Sequence, residues 1–100
     1  MSARDRFKDV VHTLESAKAS MRCRDLVLAL ESLGFAVRDG GKQGHKVLTH
    51  DRIPGFYSAA FTCGHGRNPE VKPAYVARIC KLLHRYGSEL RQVSEMSDEH

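Results

Sequence analysis

The middle third of the chain constrains its fold most tightly. Between Phe35 and Cys63 lie three short runs with β-type patterning, "FAVR", "HKVLTH" and "FYSAAFTC", separated only by "DGGKQG" and "DRIPG". Connections this short join antiparallel neighbours, because a parallel crossover needs a far longer segment, usually a helix. Gly40, Gly41 and Gly44 make the first connection a glycine-rich loop, and Pro54-Gly55 forms the corner of the second. In the third run, alternation places Tyr57, Ala59, Phe61 and Cys63 on one face and Phe56, Ser58 and Ala60 on the other.

Amphipathic helices are expected on both sides of this block. In "RFKDVVHTLESAK", Phe7, Val10, Val11, Leu14 and Ala17 recur at helical spacing. Ser20 is a candidate cap for a second helix, whose stripe is Cys23, Leu26, Val27, Leu30 and Leu33 and whose stop is Gly34. Beyond the polar loop "GHGRNPEV", the segment "KPAYVARICKLLHRYG" has Pro73 in its first turn, a stripe of Val76, Ile79, Cys80 and Leu83, and Gly87 at its end. "SELRQVSEMSDEH" is expected to prolong that helix briefly and then fray as an acidic tail. Strands joined by hairpins between helices predict an α+β fold: a three-stranded antiparallel sheet with helices over one face and the other face exposed.

A chain of 100 residues predicts one domain with one modest core, so any site on it should be shallow. The formal charge of +4 and pI near 9.2 favour an anionic partner. Arg38, Lys42, Lys46, Arg52, Arg67 and Lys72 concentrate around the middle segment, opposed there only by Asp39, Asp51 and Glu70. No apolar run approaches a membrane span, and Phe7–Leu14 is interrupted by Lys8, Asp9 and His12, unlike a secretory leader. A cytoplasmic setting with reduced thiols is therefore the default expectation, with Cys23, Cys63 and Cys80 as packing residues.

Four kinds of chemistry can be weighed on spacing. "CGH" (Cys63, His65) is not a finger spacing, and Cys80, four residues before His84, belongs to an apolar stripe, so no metal is expected. "GGKQGHK" lacks the Gly-Lys-Ser/Thr ending of a P-loop and precedes a strand rather than a helix. Its glycines and lysines still suit holding one phosphate of a polymer. No base stands beside Cys63, and no Gly-x-Ser-x-Gly elbow occurs. The fourth is acid–base catalysis by histidine on RNA, whose 2′-hydroxyl is its own nucleophile. His45 with Lys42, Lys46 and His65 is the minimal set for it, beside the plainer reading in which His45 only begins a strand.

"RDLVLALESLGFAVRDGGKQGHKVLTH" followed by "EVKPAYVARICKLL" resembles the HicA toxins of bacterial toxin–antitoxin systems. The resemblance covers Ser20 to Gly87 and rests on Leu33-Gly34-Phe35, on the Gly/Lys loop with Gln43-Gly44-His45, and on Lys72-Pro73-Ala74-Tyr75. It implies a double-stranded-RNA-binding-domain-like fold spanning 20–87, with an extension helix over 1–19 and a tail over 88–100. The helix over 1–19 is expected to pack on the body through Phe7, Val10 and Leu14. It further implies a cytoplasmic type II toxin: an endoribonuclease that cleaves mRNA without metal or cofactor and is neutralised by a HicB-like antitoxin. On that resemblance His45 is catalytic, with His50 and His65 at positions of further histidines, while the charge pattern adds Lys46 as a support and Arg38, Lys42, Lys46, Arg67 and Lys72 as the RNA-binding set. The chain departs from the family in having Gly44 where a serine is usual and Lys46 where a second histidine is common. The alternative expectation is a non-catalytic RNA-binding module of the same fold.

Overall fold

The computed structural model describes residues 6–17 and 21–98. Its elements are α1 (Arg6–Ser16), β1 (Met21–Arg22), α2 (Cys23–Ser32), β2 (Ala36–Asp39), β3 (His45–Thr49), β4 (Ala59–Thr62), β5 (Glu70–Val71), α3 (Pro73–Arg85) and α4 (Gly87–Asp98). The result is a small α+β domain with a three-stranded antiparallel sheet, as the short connections require.

α2 ends as its sequence dictates. Leu33 is the C-cap, and Gly34 takes φ +94°, a left-handed backbone favoured by glycine. The Gly34 N–H donates to the Glu31 carbonyl at 2.9 Å and the Phe35 N–H to the Leu30 carbonyl at 3.2 Å, the paired bonds of a Schellman end. That turn carries Phe35 into the core and starts β2. At the other end of α2, Arg22 is the N-cap, with extended backbone and no side-chain capping bond, and Ser20 lies outside the described residues.

β3 is the central strand, paired with β2 and β4. The register sets Val37 opposite Leu48 opposite Ala59, and Asp39 opposite Lys46 opposite Phe61. Since side chains alternate across a strand, these six share one face. Leu48 and Phe61 are almost fully buried under the helices, which identifies it as the inner face. Ala36, Arg38, His45, Val47, Thr49, Ala60 and Thr62 occupy the outer face, and each is half-buried or exposed. The expected division into a covered and an open face is therefore present.

α1 contributes Phe7, Val10, Val11 and Leu14 to the same core as Leu26, Leu30, Ile79 and Leu83. The segment after Gly87 does not fray as expected; it forms a separate helix, α4, and buries Leu90 completely. Gly87 begins α4 rather than ending α3, whose C-cap is Tyr86, and the Phe7 ring packs close against it: a Cβ there would lie 3.2 Å from Phe7 Cζ. The third strand is shorter than its alternation implied. Phe56–Ser58 is irregular, so Phe56 turns inward to meet Phe35 and Tyr86 edge-on, while Tyr57 points out at 88% exposure.

A further correction concerns the cysteines, expected as reduced packing residues. Cys23 and Cys63 form a disulfide, with Cα atoms 5.6 Å apart, and only Cys80 is free. The pairing follows from a ribbon not evident in the sequence: β1 pairs with β5, and Cys63 bridges to Val71 of β5. The start of α2 and the end of β4 are thus held side by side.

Candidate functional site

The β2–β3 loop is built around His45. The Gly40 N–H donates to the His45 carbonyl at 2.7 Å, and the His45 N–H donates to the Lys42 carbonyl at 3.1 Å. Two glycines shape the seat. A Cβ on Gly40 would fall 2.1 Å from His45 Cδ2, so the imidazole lies directly over that residue. Gly44 has φ +81°, and a Cβ there would fall 2.5 Å from the Cys63 carbonyl oxygen. The close approach lets the Cys63 N–H donate to the Gly44 carbonyl at 2.7 Å and locks the loop against the end of β4. His45 therefore emerges half-buried on the outer face, opposite Thr62. Its ring nitrogens make no hydrogen bond among the described residues.

Other residues singled out from the sequence gather at this end of the sheet. Arg38 is exposed on the same outer face, two residues before the loop, and Lys42 is exposed within it. Thr62, Gly64, His65, Glu70, Lys72 and Tyr75 line a cavity of about 280 Å³ beside it. Lys72 is the N-cap of α3, and its carbonyl accepts from the Tyr75 and Val76 N–H groups, which fixes where that helix begins. Arg67 is exposed in the β4–β5 loop.

Two residues are placed elsewhere. Lys46 lies on the inner face, ion-paired to Asp39, so strand alternation separates it from its neighbour His45. His50 is buried at 6% exposure. Its Nε2–H donates to the Leu33 carbonyl at 2.9 Å, and its Nδ1 accepts from the Arg52 N–H at 3.2 Å. The ring packs edge-on against Phe35, and its two nitrogens tie the α2–β2 turn to the β3–β4 connection.

Sequence reasoning passed over a second basic surface. Arg78, Lys81 and Arg85 line a groove of about 560 Å³ with Tyr57 and Tyr86. The Arg85 guanidinium lies 5.7 Å from the centre of the Tyr86 ring, and that of Arg78 lies 5.6 Å from Tyr75. The i, i+3, i+7 spacing of these cations was visible in the sequence; the exposed Tyr57 across the groove was not.

On the far side of α3, Cys80 is half-buried beside Glu15. Burial pushes its thiol above the ordinary range, and the Glu15 charge pushes it further the same way. Among the described residues no helix is long and apolar enough to cross a membrane. No protein-family model, curated protein or solved structure matches the chain.

Proposed function

We propose that the chain is a HicA-like endoribonuclease toxin with a double-stranded-RNA-binding-domain-like fold, acting on mRNA and neutralised by a HicB-like antitoxin. The observation that carries this reading is the seat of His45. Two glycines at positions 40 and 44 bring its ring to the open face of the sheet, where no described residue takes its nitrogens and Arg38 and Lys42 stand close by in the chain.

In this reading the RNA backbone lies across that end of the sheet, and Arg38, Lys42, Arg67 and Lys72 neutralise its phosphates. Binding is accordingly weakened by salt. His45 takes the proton of a 2′-hydroxyl; the 2′-oxygen attacks the adjacent phosphorus, the bond to the 5′-oxygen breaks, and a 2′,3′-cyclic phosphate remains. Lys72, at the rim of the cavity, stabilises the extra charge of the phosphorane. His65, on the same rim, protonates the leaving 5′-oxygen. Lys46 and His50 take no part; they serve the fold through Asp39 and through the Leu33 carbonyl.

The test is RNA digestion in EDTA by the wild type, His45→Ala and His45→Gln. Loss of a general base predicts a fall of about 100-fold or more in both variants, with RNA affinity little changed. Equal cleavage by all three proteins, or activity only on addition of metal, would sink the mechanism. Salt-dependent binding by a wild type that never cleaves would establish the non-catalytic module instead.

A further inference from the structure

We propose that Glu15, Cys80 and His84 bind a divalent transition-metal ion of the zinc type, which fastens α1 to α3. The proposal is independent of the RNA reading, because these residues lie on the α1 side of α3 and none of them lines the cavity beside His45.

Cys80 and His84 stand four residues apart on α3, the spacing that stacks two side chains on one face of a helix and lets them share a ligand. A third donor has to come from another element. α1 packs along α3 and supplies Glu15, whose Oε2 lies 3.3 Å from His84 Nε2. That separation has a definite meaning for zinc. Nitrogen and oxygen ligands about 2.0–2.1 Å from a tetrahedral centre lie about 3.3–3.4 Å apart, so this pair already spans one edge of the tetrahedron. The Cys80 sulfur completes a set whose ligand atoms all lie within 4.8 Å of one another. A zinc–sulfur bond near 2.3 Å sets the sulfur–nitrogen edge at about 3.6 Å, so closing the set takes a shift of about 1 Å, within reach of small torsional changes.

The surroundings are consistent with an ion. The three residues line a groove of about 500 Å³ floored by Leu14, Pro73 and Val76, with room at its mouth for a water or outside donor in the fourth position. Lys81 lines the same groove and opposes a dication. The Cys80 thiol loses its proton on binding, and its thiolate together with the Glu15 carboxylate supplies two negative charges to offset Lys81 and the ion. A sulfur, nitrogen and oxygen donor set selects zinc or cobalt over magnesium or calcium, which take oxygen ligands.

The experiment titrates cobalt(II), then competing zinc, into metal-free full-length protein without reductant. With Cys23 and Cys63 bonded to each other, Cys80 is the free thiol, so a near-ultraviolet thiolate-to-cobalt band reports this site. One saturable equivalent is expected, with the band lost in Cys80→Ser and the affinity cut at least about tenfold in His84→Gln and Glu15→Gln. At a fixed zinc concentration the melting temperature should rise more in the wild type than in any of the three variants, a readout that compares each variant with its own metal-free form. No saturable band would overturn the proposal. So would a band that keeps its wild-type affinity in both His84→Gln and Glu15→Gln, which would leave only a His84–Glu15 hydrogen bond beside a packing cysteine.

Discussion

Reducing the Cys23–Cys63 bond removes a crosslink without removing an atom from the core, so its effect on stability can be worked out directly. The bond closes a sequence separation of 40 residues, and the chain-entropy relation gives about 13 cal/mol/K for a loop of that size, roughly 4 kcal/mol at 25 °C. A 100-residue domain unfolds with an entropy of about 210 cal/mol/K, so the loss should lower the melting temperature by about 20 °C. The assay is a pair of thermal melts followed by circular dichroism, one on oxidised protein and one after full reduction, each checked by alkylation under denaturing conditions. The same shift is expected in Cys80→Ser, which leaves the bonded pair intact. A shift below about 5 °C, or three alkylatable thiols in protein never exposed to reductant, would refute the reasoning. Reduction should also loosen the neighbourhood of His45, because the Cys63 N–H and carbonyl are what Gly44 packs against.

Two further outcomes follow from the loop and the buried histidine. Gly44→Ala meets both a left-handed backbone and the Cys63 oxygen, whereas Gly55→Ala, at φ +84°, meets open space. Urea melts should give about 1–2 kcal/mol for Gly55→Ala and at least about 1 kcal/mol more for Gly44→Ala; equal values would remove the close-approach argument. His50→Ala strands the Leu33 carbonyl and the Arg52 N–H and empties a packed site, so a loss of about 2–4 kcal/mol is expected. RNA cleavage measured well below the melting temperature should stay near wild type, and a fall like that of His45→Ala would return His50 to the catalytic set.

What the sequence determined by itself was local. The Leu33-Gly34-Phe35 element specified a helix stop that the structure realises bond for bond, because every group in it lies within a few residues. The stripes of α1, α2 and α3 named their buried residues, since a 3.6-residue period needs no knowledge of the partner surface. The loop before His45 was legible as a special turn, since glycines at 40, 41 and 44 left few other readings. Alternation along β3 also put Lys46 on the face away from His45, although closeness in sequence suggested a working pair.

Tertiary structure decided whatever depends on residues far apart in the chain. Cys23 meets Cys63 only because β1 and β5 pair, and neither two-residue strand has a pattern long enough to read. Glu15 meets Cys80 and His84 only because α1 settles along α3; by spacing alone, one cysteine and one histidine were too few for a metal. Leu90 is buried because α4 packs back on α1 and α3 and carries it into their shared core, where the sequence suggested only a tail. The two histidines of "GHKVLTH" were alike as letters. One became a strut because its nitrogens found the Leu33 carbonyl and the Arg52 N–H, and the other lies half-buried on the open face, its ring seated over Gly40, where a Cβ would collide with it.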